Sequence, residues 1–172
     1  GRIAYTWMDG ACDCIQLRVI DAGGGEPRIL YGGRGMTEVL PLEWSDDGSQ
    51  ILGKRQKSAE ETEVVLIAVS DGSVRVVRNF EHGSGKVSLS PDSRYVAYDR
   101  AEDSNDADRG IYLSATEGGH EVPLVTGPTY DSHPMWTRDG SGLVFASMRT
   151  GGPGLWLQPM KDGRADGKAR LL

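Results

Sequence analysis

The sequence predicts an all-β protein, a β-propeller of four-stranded antiparallel blades, and three observations carry that reading. An aspartate centred in a turn recurs with a period in the forties. A leucine stands six residues ahead of a glycine four times along the chain. Helix signals are nearly absent, with no long run at a 3.6-residue period and no convincing cap.

Asp47, Asp92 and Asp139 lie 45 and 47 residues apart, in "WSDDGSQIL", "LSPDSRYVAY" and "WTRDGSGLVF". Trp44, Leu89 and Trp136 stand three residues before them, and Gly53, Tyr98 and Phe145 six residues after. The second series pairs Leu17 with Gly23, Leu66 with Gly72, Leu113 with Gly119 and Leu157 with Gly163. Each of those glycines is followed by a short apolar segment, "PRILY", "VRVVRNF", "EVPLV" and "KARLL". A unit therefore reads as strand A carrying Trp or Leu, an aspartate turn, strand B, a longer loop, strand C, a tight glycine turn and strand D. Asp-Gly and Gly-Gly supply the positive φ angles of tight hairpins, and a turn aspartate can bond its own backbone. The 24 glycines, about twice ordinary usage, fit a chain of many turns.

One propeller region over 1–172 is expected, with units near 1–33, 38–80, 86–127 and 133–172. The first is incomplete. "GRIAYTWM" aligns with strand B, so Gly1 matches Ser49 and Tyr5 matches Gly53, and the inner strand A has no counterpart. About four blades are thus visible, and the chain reads as part of something longer or as a half that assembles. Its opening "GRIAYTWMDG" is neither a signal nor a transit peptide.

With a net charge of −6 and no basic stripe, nucleic acid is not an expected partner. No apolar run approaches the length of a membrane-spanning helix. Cys12 and Cys14 would close a strained ring if bridged to each other, so they read as ordinary loop or core cysteines rather than half of a soft-metal site. His82, His120 and His133 lack metal-ligand spacing. "DRAEDSNDADRG", with Asp99, Glu102, Asp103, Asp106 and Asp108, lacks the calcium-loop pattern and reads as a charged hairpin tip. Neither a nucleophile elbow nor a phosphate loop is present, and the glycine-rich "GGGEPR" and "GGRG" precede no helix. Neither catalysis nor a cofactor is expected.

The B–C and D–A loops are the long ones, and long loops on a rigid scaffold usually carry binding. Strand A should line a central channel, so D–A loops would ring its mouth. Arg34, His82, Tyr130, Asp131 and His133 are the candidate binding residues there, the alternative being plain solvated loop groups. Asp131-Ser132-His133 suggests a triad or a metal, but a structural bond from Asp131 across blades is the favoured reading. Trp44 and Trp136, by their place in the repeat, should pack one sheet on the next.

"WSDDGSQIL", "LSPDSRYVAY" and "WTRDGSGLVF", with "GIYLSATEGGHEVPLVTG" and "GGEPRIL", resemble the TolB-type, WD-like β-propeller repeat over nearly the whole chain. Arg149-Thr150-Gly151 resembles that family's Asp-Arg-x-Gly loop, which implies that Arg149 bonds backbone. The resemblance implies a bacterial, extracytoplasmic setting and a protein or peptide partner. It also implies completion by a parent chain or a second copy. Similar propellers serve as interaction or sensing modules and as gating domains of prolyl-oligopeptidase-like serine peptidases. The first is the leading expectation, the second its alternative. A hydrolase or lyase with residues at the channel mouth is a third.

Overall fold

The computed structural model describes residues 1–81, 85–101 and 108–172, and none of these residues is helical. The chain forms two compact units, Gly1–His82 and Gly83–Leu172. Each holds two antiparallel sheets, whose strands follow chain order except for the last short strand of the fourth.

In the first unit, β1 (Arg2–Asp9), β2 (Cys14–Asp21) and β3 (Arg28–Gly32) make a three-stranded sheet. The second sheet comprises β4 (Val39–Trp44), β5 (Gln50–Gln56), β6 (Glu61–Ala68) and β7 (Val74–Glu81). Strand alternation sends Ala4, Leu17 and Val19 to one face, with Ala4 directly opposite Val19. There they meet Val39, Ile51, Val65, Ile67 and Val69 of the second sheet, and Trp44 packs against the same cluster. Each fully buried aliphatic or aromatic side chain of this kind contributes about 1.5–3 kcal/mol. Among the described residues, β1 pairs with β2 alone, so the first sheet has no inner strand. Ile3, Trp7 and Met8 on β1 remain about half exposed.

In the second unit, β8 (Val87–Leu89), β9 (Tyr95–Ala101), β10 (Arg109–Ala115) and β11 (Val122–Val125) form the third sheet. The fourth contains β12 (Asp131–Trp136), β13 (Gly142–Ser147) and β14 (Gly154–Lys161), with the two-residue strands β15 (Arg164–Ala165) and β16 (Arg170–Leu171) both on β14. Ala97, Ile111, Leu113 and Val125 pack against Leu143, Phe145 and Met160, with Trp136 and Trp156 at the margin of the cluster. Trp44 and Trp136 thus occupy equivalent inter-sheet positions. The indole Nε1 atoms of Trp136 and Trp156 are buried without a hydrogen-bond partner.

The aspartate turns explain why the A–B hairpins repeat. The Oγ–H groups of Ser45, Ser90 and Thr137 donate to Asp47, Asp92 and Asp139 at 2.7, 2.6 and 2.7 Å. Each aspartate accepts the N–H two residues on, from Ser49, Arg94 or Ser141, at 2.9–3.1 Å. The same hydroxyl oxygens accept the N–H of Gln50, Tyr95 and Gly142, each at 2.9 Å. Gly48, Ser93 and Gly140 follow the aspartates with φ of 67°, 58° and 70°, so the turn needs a left-handed residue at that place.

These bonds hold Asp47 below the usual carboxylate range and bring Asp139 down to about 2, the Thr137 and Ser141 hydroxyls and the Ser141 N–H stabilising the charged form of Asp139. Its contribution to stability is complete above about pH 4, where an unfolded aspartate is ionised. It is lost as pH falls through about 2. Asp139→Asn should therefore be less stable than the parent at pH 5, with the gap closing by pH 2. A gap that stays constant in urea melts across that range would contradict this account.

Cys12 and Cys14 are joined by a disulfide, contrary to the reading from sequence. The β1–β2 turn, with Asp13 at φ 51°, brings their Cα atoms to 5.3 Å. That separation lies within the range that bridged cysteines occupy.

Candidate functional site

Tyr130, Asp131 and His133 stand at the start of β12 in the second unit, beside Arg109 at the start of β10. Asp99 anchors this corner. It sits near the end of β9, is only 2% exposed, and accepts from Lys86, His133 and Arg109. Its Oδ1 accepts the Lys86 N–H at 2.8 Å and the His133 N–H at 3.2 Å, and its Oδ2 accepts Arg109 Nε–H at 2.9 Å. The Arg109 guanidinium lies over the Tyr130 ring, 5.8 Å from its centre. A short parallel bridge also ties Arg109 to Tyr130. Gly85 is confined here as well, since a Cβ would fall 1.9 Å from Asp99 Oδ2. Asp99 therefore ties the third sheet to the fourth through the His133 N–H and is not part of a hairpin tip. Asp108 is half-buried, while Glu102, Asp103 and Asp106 lie outside the described residues.

Asp131 has a different role from the one expected. It is fully buried, and Arg149 Nη2 donates to both of its oxygens at 2.9 Å. Thr129 Oγ1–H donates to Oδ2 at 2.8 Å. Arg149 also donates from Nε to Ser147 Oγ at 2.9 Å and spreads over Trp156 and Phe145, at 4.8 and 5.3 Å. The bond from Asp131 thus closes within its own sheet and not across blades, and Arg149 takes a carboxylate and not backbone. The reason is register: Asp131 lies opposite Ser147, which places the B–C turn over the start of β12. With both oxygens taken, Asp131 belongs to the frame and not to a binding surface.

His133 is exposed, with φ 56° at an irregularity in the β12–β13 pairing. Left-handed backbone in a non-glycine residue concentrates at functional sites. Its Nδ1 is 3.0 Å from the hydroxyl of Ser132, which is itself buried. Asp131 turns to Arg149 and Asp99 to Arg109, so neither orients the imidazole as a triad would require. Tyr130 is 38% exposed. Among the described residues, no group of three or more His, Cys, Asp or Glu side chains could hold a metal ion. Arg34 is exposed in the β3–β4 loop of the other unit, and His82 lies outside the described residues.

The TolB beta propeller domain model matches residues 1–169. The chain belongs to the TolB β-propeller family. This TolB-type segment is 30% identical over 166 residues to the Tol-Pal system protein TolB of Bordetella pertussis, covering 95% of the present chain and 36% of that relative. It thus spans about a third of the length of the curated relatives it matches. The crystal structure of TolB from Acinetobacter baumannii superimposes with a TM-score of 0.76 at 22% identity, over 100% of this chain and 41% of that one. A prolyl endopeptidase structure matches with a TM-score of 0.69 at 18% identity, over 99% of this chain and 28% of the other. At those identities the two structures establish the fold alone.

Sequence reasoning did not single out Arg109 or Lys86, and it misplaced Asp99. One signal was available. Asp99 follows the buried run Val96-Ala97-Tyr98 inside a strand, where an ionised group needs a partner. Arg109, directly after the loop, is its nearest cation in the following strand.

Proposed function

We propose that this TolB-type segment is a non-catalytic recognition module that binds a protein or peptide partner through the exposed side chains of Tyr130 and His133. The observation that carries this reading is the commitment of the two buried carboxylates. Asp99 and Asp131 are both spent on arginines, which leaves a rigid frame presenting an aromatic ring and an imidazole. Tyrosine offers a large amphipathic surface at low entropic cost, which suits recognition. The Tol-Pal system name of the Bordetella relatives is in keeping with a protein partner.

A displayed peptide library selected on the 172-residue chain provides the test. Enriched peptides should lose at least tenfold in affinity for a Tyr130→Ala/His133→Ala variant, and none should be cleaved. Equal binding to the variant, or turnover of any peptide, would refute the reading. The likeness to a prolyl endopeptidase keeps a gating domain as the second reading. An α/β-hydrolase segment with a nucleophile elbow in the same reading frame would favour it.

A further inference from the structure

In the first unit, Arg2 at the start of β1 reaches the turn of the second sheet. Its guanidinium lies 5.0 Å from the Trp44 ring centre, and Nη2 donates to the Gly48 carbonyl at 2.7 Å. Gly48 makes room for it, since a Cβ there would be 2.9 Å from Nη2. The repeat places Trp136, Asp139 and Gly140 where Trp44, Asp47 and Gly48 stand. It places Tyr95 where Arg2 stands. Tyr95 turns its ring onto Gly163 and its hydroxyl toward the Asp162 carbonyl at 3.4 Å. A Cβ added to Gly140 would meet no side chain closer than Pro91, at 3.8 Å. Beside Trp136 and Gly140 a cleft of about 190 Å³ opens, walled by Asp92, Asp139 and Asp162. Arg94 also lines it, lying over the Tyr95 ring at 5.6 Å.

We infer that this cleft receives an arginine side chain from a protein partner, the position that Arg2 fills from within the chain in the first unit. A planar guanidinium can stack on an indole and donate in its plane to a turn carbonyl. Three carboxylates against one lining cation favour positive charge. The volume suits one side-chain head and falls short of the roughly 300–1,000 Å³ of a small-molecule pocket. Lysine can supply the charge but not the stacked plane. This inference goes beyond the Tyr130–His133 surface and uses none of its residues.

Blocked peptides that differ only in a central arginine, lysine or citrulline test it by NMR titration of the full 172-residue chain. The indole N–H signal of Trp136, assigned with Trp136→Phe, is the readout. The arginine peptide should shift it saturably, lysine should bind several-fold more weakly, and citrulline should leave it unmoved. Asp162→Asn, at an exposed turn where asparagine tolerates the φ of 49°, should weaken arginine binding about threefold to fivefold. Arg94→Ala should strengthen it by a similar factor, and added salt should weaken it. The Tyr130→Ala/His133→Ala variant should respond like the parent, which separates this cleft from the loop surface. No arginine response, an equal response to citrulline, indifference to Asp162→Asn, or loss of the response in the loop variant would each overturn the inference.

Discussion

Replacing Asp131 by alanine should cost the protein about 3 kcal/mol, the loss typical when one member of a buried ion pair is removed. For a chain of this size that corresponds to a fall in melting temperature of roughly 6–12 °C. The expectation follows from what is left behind. Arg149 has side-chain exposure of only 25%, is pressed onto Trp156 and Phe145, and would retain a charge that no other carboxylate among the described residues meets in its present pose. Thr129 would lose its acceptor as well. The companion Arg149→Met should cost a similar amount, because it leaves the fully buried carboxylate unmatched. The double variant should recover much of the loss, since an apolar replacement of the whole pair is often close to neutral. Thermal melts of the four proteins complete a double-mutant cycle. Additive losses would show that Asp131 and Arg149 act separately, and would remove the basis for treating this pair as the lock of the fourth sheet.

Gly72→Ala should be at least as damaging, at about 3–5 kcal/mol, from a left-handed backbone combined with overpacking. Gly72 has φ 75°, and a Cβ there would lie 1.9 Å from the Leu30 carbonyl oxygen and 3.0 Å from its carbon. That obstacle is backbone of β3 and cannot swing aside like the end of a flexible side chain. Arg28 fastens the same place by donating to the carbonyls of Val69 and Ser70. Gly24→Ala in the same unit is the control. Its φ is 94° with nothing within 4 Å of the added carbon, so it should register only the backbone penalty of about 1–2 kcal/mol. Urea midpoints that fall equally for the two variants would mean that the β6–β7 turn does not pack on β3 as described.

The same comparison shows where sequence reasoning succeeds. The four leucine–glycine pairs mark real hairpins, yet their glycines stand in different surroundings. Gly72 and Gly163 press against Leu30 and Tyr95, while Gly119 has φ 133° and open space. Gly23 has open space and no positive φ; Gly24 beside it carries the left-handed angle. The positive φ was legible because turn chemistry is local. The close approach was not, because it depends on which strand another sheet brings alongside. The candidate site divides in the same way. Tyr130 and His133 were reached from loop position and remain exposed. Asp131 was reached by the same route but is buried, because its oxygens found Arg149 eighteen residues away.

Sequence alone determined the all-β class, the four-sheet repeat, the aspartate turns and the inter-sheet place of Trp44 and Trp136. Each is written in alternation or in side-chain-to-backbone bonds that span only a few residues. Tertiary structure decided which charges neutralise one another, how Cys12 meets Cys14, and that Arg2 covers Trp44 while Trp136 borders an open cleft. Those outcomes rest on register and on contact between sheets. A one-residue change in either would give every side chain a different neighbour while leaving the repeat pattern intact.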